Sequence, residues 1–146
     1  MRRNAAFTLV EILIVVMILG ILAAIVIPQF TQASSDARTN AMASDLQMVR
    51  TQLQVYKAQH VDAYPAAATF VTQLTSRSNS AGTTGTDPNL FPLGPYMAKF
   101  PTNQFVTTNA NAVETGTSTP GGGNYGWYFN TSTGKFSPDD DAHSGL

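Results

Sequence analysis

Glu11 is a carboxylate set in an apolar run. Phe7-Thr8-Leu9-Val10 precede it, and every residue from Ile12 to Ile27 is apolar or Gly. At mid-membrane such a group costs about 2.5–3.5 kcal/mol on insertion scales, and less near the interface. The chemistry that would justify that cost is neutralisation of an ammonium. Asp139-Asp140-Asp141 is the one dense charge cluster. Adjacent carboxylates supply the oxygens a calcium ion takes, of which it needs about six to eight. Asn124, Asp139 and Asp140 are the candidate ligands. A solvated acidic tail is the plainer reading and is favoured.

Other chemistry finds little support. His60 and His143 are isolated, and His60 reads as a helix-end residue rather than a ligand. No Ser-His-Asp arrangement is suggested and no Gly-Lys-Ser/Thr occurs, so an enzyme is not expected. Gly121-Gly122-Gly123 is not followed by a helix signal and does not read as a phosphate cradle. The chain has no Cys, which excludes disulfides and thiolate chemistry. With 12% charged residues, a formal net charge of -1 and scattered basic residues after Arg3, no nucleic-acid-binding stripe is supported.

The elements that must position Glu11 start with the block from Phe7 to Phe30, which is 24 residues long. At about 1.5 Å per residue it crosses roughly 30 Å of hydrocarbon. Arg2 and Arg3 before it, with no cation close behind, place the N-terminus in the cytoplasm and the rest outside. Three readings compete: a signal peptide removed whole, a plain membrane anchor, and a chain cut before Phe7. The first two leave Glu11 unexplained. In the third, the new ammonium on Phe7 lies four residues from Glu11, and a neighbouring subunit's Glu11 neutralises it on docking.

The run Phe7-Thr8-Leu9-Val10-Glu11-Ile12-Leu13-Ile14-Val15-Val16 closely resembles the class III leader region of type IV pilins and type II secretion pseudopilins. The resemblance implies cleavage between Ala6 and Phe7 by a prepilin peptidase, N-methylation of Phe7, and a register role for Glu11. Gly20 and Pro28 fall where that family has its helix-loosening glycine and proline. Ala6 departs from the Gly usual before the cut. Independently of the family, Pro28 removes a backbone donor and crowds the Ala24 carbonyl, and Gly20 costs roughly 1 kcal/mol of helix propensity. The stretch between them is therefore the weakest part of the helix, to be read either as a segment that loosens in a filament or as a mere kink.

Beyond Thr31 the pattern is amphipathic. Met42, Leu46, Val49, Leu53 and Tyr56 form one narrow helical stripe, too short to insist on a coiled coil. One helix is predicted from about Phe7 to His60. Phe70, Val71 and Leu74 suggest a second, short helix, and residues 78–89 read as a polar loop. The tail reads as strand at 112–115, Gly-rich loop at 116–124, strand at 126–130, turn, and a returning strand at 135–137. Trp127 and Phe129 face one side and Tyr128 the other, with Trp127 in the core.

The segments Tyr56 to Leu74 and Leu93 to Pro101 resemble the G-type major pseudopilin, although Thr102-Asn103-Gln104-Phe105 stands in place of that family's Asp-Pro-Trp-Gly. Taken together, the expectation is an α+β, pilin-like chain. It has a leader (1–6), a membrane-spanning or filament-core helix (7–30), an amphipathic continuation (31–60) and a periplasmic head (61–146) whose small antiparallel sheet packs on the helix stripe. The implied function is that of a filament subunit, most readily a type II secretion pseudopilin. The implied partners are copies of itself, other pseudopilins, the prepilin peptidase, an inner-membrane platform and a secretion ATPase. The G-type resemblance also implies a calcium site in the C-terminal loops. The alternatives are a membrane-anchored monomeric binding module and a type IV pilus subunit acting in adhesion or DNA uptake.

Overall fold

A computed structural model describes residues 8–146; Ala6 and Phe7, with the expected cleavage between them, lie outside the described residues. The apolar run and the stripe that follows it form one helix, α1, Leu9–Gln59, which passes through Gly20 and Pro28 without interruption. Side chains bond back to the helix after Pro28: Thr31 Oγ1 donates to the Ile27 carbonyl at 3.1 Å and Thr39 Oγ1 to that of Ser35 at 3.1 Å. The chain divides into two compact units, one ending at Thr39 and the other spanning Asn40–Leu146.

In the first unit the large apolar side chains from Leu9 to Phe30 are all exposed. The helix there is long and apolar enough to cross a membrane, with a mean hydropathy of 3.2 in its best window.

In the second unit the stripe is covered. Met42, Leu46, Val49, Leu53 and Tyr56 are buried with Phe70, Leu74, Met97, Phe100, Trp127, Phe129 and Phe136. Phe70 and Leu74 lie on the short helix α2, Phe70–Thr75, which follows a turn of tighter helix at Ala67–Thr69. Arg50, beside the stripe, donates from Nε to the Phe136 carbonyl at 2.9 Å and so ties the last strand to α1. Burial lowers the Arg50 pKa from its ordinary value, yet an arginine so bonded stays charged at neutral pH.

The sheets differ from expectation in two respects. Residues 78–89 are not all loop: β1, Arg77–Ser78, pairs antiparallel with β2, Thr84–Gly85. Asn79 makes the turn between them, its Oδ1 accepting from the Ala81 and Thr83 amides at 3.1 and 3.0 Å. Polar composition hid a hairpin whose turn is built by a side chain. The larger sheet is mixed rather than wholly antiparallel. Its order is β3 (Val113–Gly116), β4 (Trp127–Asn130), β5 (Phe136–Pro138), with β3–β4 parallel and β4–β5 antiparallel. The loop 117–126 is long enough to carry the chain back to the start of β3, whereas the short 131–135 turn permits only an antiparallel return. Trp127 and Phe129 enter the core as expected; Tyr128, also buried, lies outside that cluster and shares a 3.1 Å hydrogen bond with Ser118 Oγ.

The end of α1 carries backbone strain. Val61 and Asp62 have φ of 53° and 63°, and the Asp62 amide closes the turn onto the Lys57 carbonyl at 3.0 Å. The left-handed region costs a β-branched residue roughly 1–2 kcal/mol, and Val61 is 88% exposed, so no packing offsets it. After the extra chain entropy of glycine is subtracted, Val61→Gly is expected to stabilise the second unit by about 0.5–1 kcal/mol. A denaturant midpoint for the variant at or below that of wild type would contradict this.

Candidate functional site

Thr8 and Glu11 begin α1 with a reciprocal cap. The Thr8 amide and hydroxyl both donate to Glu11 Oε2 at 2.9 Å, and the Glu11 amide donates to Thr8 Oγ1 at 3.3 Å. This arrangement satisfies amides that the first turn of a helix leaves without partners. Thr-x-x-Glu ahead of an apolar run is the sequence signal for it, whereas the partner expected for Glu11 was an amine on a neighbouring subunit. Both bonds fall on Oε2, and no partner of Oε1 occurs among the described residues. The carboxylate can therefore hold the cap and still present an oxygen to a cation. Gly20, further along, has open space around it: a Cβ there would meet nothing within 4 Å.

The aspartates occupy a different setting from the solvated tail that was favoured. Asp139 is 1% exposed and Asp140 8%. Asp139 Oδ1 accepts from the Gly121 and Gly122 amides at 3.0 and 3.3 Å, and its Oδ2 from the Tyr125 amide at 3.3 Å. Asp140 Oδ2 accepts from Asn103 Nδ2 at 2.9 Å, while Oδ1 is bonded to His143 Nδ1. Only Asp141 of the three is exposed. A row of acidic residues looks solvated in sequence, but the amides that draw Asp139 inward belong to a glycine loop some fifteen residues earlier, and Asp140 is held by the side chains of Asn103 and His143. Asn124 is exposed, and its carbonyl accepts from Asn109 Nδ2 at 3.3 Å. Asn103, missed in the sequence, is fully buried and also donates to the Gly126 carbonyl at 2.9 Å.

These residues do not fit a calcium site. The ion takes only oxygen ligands at about 2.3–2.6 Å, whereas the oxygens of Asp139 and Asp140 face N–H groups. Among the described residues, no three His, Cys, Asp or Glu side chains come together as a metal set. His60 lies just past α1, buried, with its ring stacked on Tyr56 at 3.7 Å. Its Nδ1 bonds the Tyr56 carbonyl at 2.9 Å and its Nε2 bonds Ser78 Oγ at 3.0 Å, a structural use of both nitrogens.

The sequence is similar to those of known proteins. The family described as the prokaryotic N-terminal methylation motif matches residues 1–27. Type II secretion system core protein G of Pseudomonas aeruginosa is 40% identical over 65 residues, 44% of this chain and 45% of that protein. Its counterpart in Dickeya chrysanthemi is 31% identical over 100 residues, 68% of this chain and 62% of that protein. The counterpart in Klebsiella pneumoniae is 31% identical over 103 residues, 69% of each chain. The matched region thus spans about half to three-fifths of the first two relatives. No solved structure matches the chain.

Proposed function

We propose that this chain, which belongs to the type II secretion system core protein G family, is a structural subunit of a pilus-like filament whose growth drives protein export. The observation that carries the reading is the first unit: a capped carboxylate at the head of a helix whose apolar residues, Leu9 to Phe30, are all uncovered. A helix of that kind needs lipid before assembly and other copies of itself afterwards, because water solvates neither state well.

In this reading the precursor lies in the inner membrane with Arg2 and Arg3 inside and the head in the periplasm. A prepilin peptidase cuts between Ala6 and Phe7, and Phe7 is methylated. The new amine then meets Glu11 of a neighbouring subunit as the helix leaves the bilayer. Gly20 and Pro28 mark the segment where the helix loosens on assembly. Other pseudopilins, a membrane platform and a secretion ATPase complete the machine.

Intact mass and N-terminal sequencing of the protein from its native host test the processing step. A chain that begins at N-methylated Phe7 is expected. One that still begins at Met1 would overturn the filament reading in favour of a tethered monomer.

A further inference from the structure

We propose that the C-terminal loop is closed by the Asp139 carboxylate itself, and that the head folds and persists without calcium. The family resemblance implies an ion in this region, and the residues present do not fit one. What stands there instead is an internal latch.

Three amides of the loop 121–125 point at one carboxylate, those of Gly121, Gly122 and Tyr125, at 3.0 to 3.3 Å. The Gly123 amide donates to the Asp139 main-chain carbonyl at 2.8 Å. Successive N–H groups turned inward form a concavity that favours negative charge. A cation placed within it would face amide hydrogens rather than oxygens. Asp139 thus does the positioning work of an ion with the opposite polarity: a loop that would converge its carbonyls on calcium converges its amides on a carboxylate.

The backbone is shaped for this closure. Gly121 has φ of 121°, a conformation that L side chains rarely adopt. At Gly126 a Cβ would fall 1.9 Å from the Ala110 carbonyl oxygen, so only glycine permits the approach. The neighbouring Asp140 is fixed by Asn103 and His143, and Asn103 in turn accepts from the Phe105 amide at 2.9 Å. Asn103 lies in the segment where the G-type family has Asp-Pro-Trp-Gly. The divergent segment and the divergent C-terminal loop therefore meet in one hydrogen-bonded network. Glu114 and Asp141 also reach the glycine loop, with Glu114 Oε2 3.8 Å and Asp141 Oδ1 2.7 Å from the Cβ positions that would belong to Gly122 and Gly121. They are the oxygens an ion would have to recruit if it bound.

The test is thermal unfolding of the full-length chain in detergent micelles, with either EGTA or millimolar calcium chloride. Wild-type midpoints are expected to agree within about 1 °C in the two conditions. Loss of the latch in Asp139→Ala or Asp139→Asn is expected to lower the midpoint by roughly 8 °C or more, with no recovery on adding calcium. A rise of about 5 °C or more for wild type in calcium would overturn the proposal, as would calorimetric binding of one calcium ion with a Kd below about 1 mM. A wild-type midpoint for either Asp139 variant would overturn the latch. If both variants fail to fold, Asn103→Ala with the same pair of conditions, together with the wild-type comparison, decides the question. These measurements are made on unassembled protein, so they stand or fall separately from the filament function.

Discussion

Glu11→Gln is expected to leave α1 formed and to reduce filaments by about 100-fold or more. Glutamine serves at this position of a reciprocal cap as well as glutamate does, so the Thr8 bonds persist and only the charge is lost. In the assembled state proposed above, that charge faces an ammonium away from water. Removing one partner of a buried ion pair costs about 3–5 kcal/mol, because the other charge is left uncompensated. Each 1.4 kcal/mol is about a factor of ten in the docking equilibrium. Thr8→Val does the reverse, keeping the carboxylate and removing the hydroxyl of the cap. The cap contributes about 1 kcal/mol, so this variant is expected to lose filaments by no more than about tenfold. The measurement is the fraction of protein sedimenting as sheared fibres, with membrane levels of each variant held equal. Wild-type fibre yield from Glu11→Gln would show that its charge does not set subunit register.

Trp127→Ala is expected to destabilise the head by about 3–5 kcal/mol, the range found when a buried large aromatic is truncated. Trp127 is fully buried, stacks on Phe136 with ring centroids 5.4 Å apart, and donates from Nε1 to the Pro101 carbonyl at 3.0 Å. The alanine variant loses that packing and leaves the carbonyl without its donor. A small domain is stable by about 5–15 kcal/mol in all, so one residue decides a large part of whether this head stays folded. Trp127→Phe keeps most of the packing and loses the hydrogen bond, and is expected to cost less. Urea unfolding followed by far-UV circular dichroism reports both, since the fluorescent residue itself is changed. A midpoint within error of wild type for Trp127→Ala would show that the packing of Trp127 is not what holds the head together.

The parts of this molecule governed by periodicity were readable. The stripe from Met42 to Tyr56 is buried residue for residue as its four-and-three spacing implied, because a helix face is set by local geometry alone. Aromatic density likewise marked β4, and the apolar run with its interior carboxylate marked the first unit. Features that depend on a partner distant in sequence were not readable. Asp139 turns inward because amides at 121, 122 and 125 await it, and nothing in three consecutive aspartates announces that. The parallel pairing of β3 with β4 depends on how the 117–126 loop returns, which strand composition does not encode. Ser78 is wholly buried because it pairs with Leu93 in an isolated bridge and with the His60 ring, in a segment that reads as polar loop. The Thr8–Glu11 cap is a different case. Its signal, Thr-x-x-Glu, is local and legible, but the same carboxylate heads an apolar run, where its membrane cost is the more conspicuous property.

The covered stripe also sets an order of manufacture. Met42 to Tyr56 leave the ribosome well before Trp127, Phe129 and Phe136, which seal them. At translation rates of about 5–20 residues per second, the roughly eighty residues between Tyr56 and Phe136 hold that seam open for about 4–16 s. The Arg50 tie to the Phe136 carbonyl cannot exist before then either. The head is thus a structure whose first-made face waits on its last-made strand. Anything that shields an amphipathic helix during those seconds acts on this chain before it has a fold to protect.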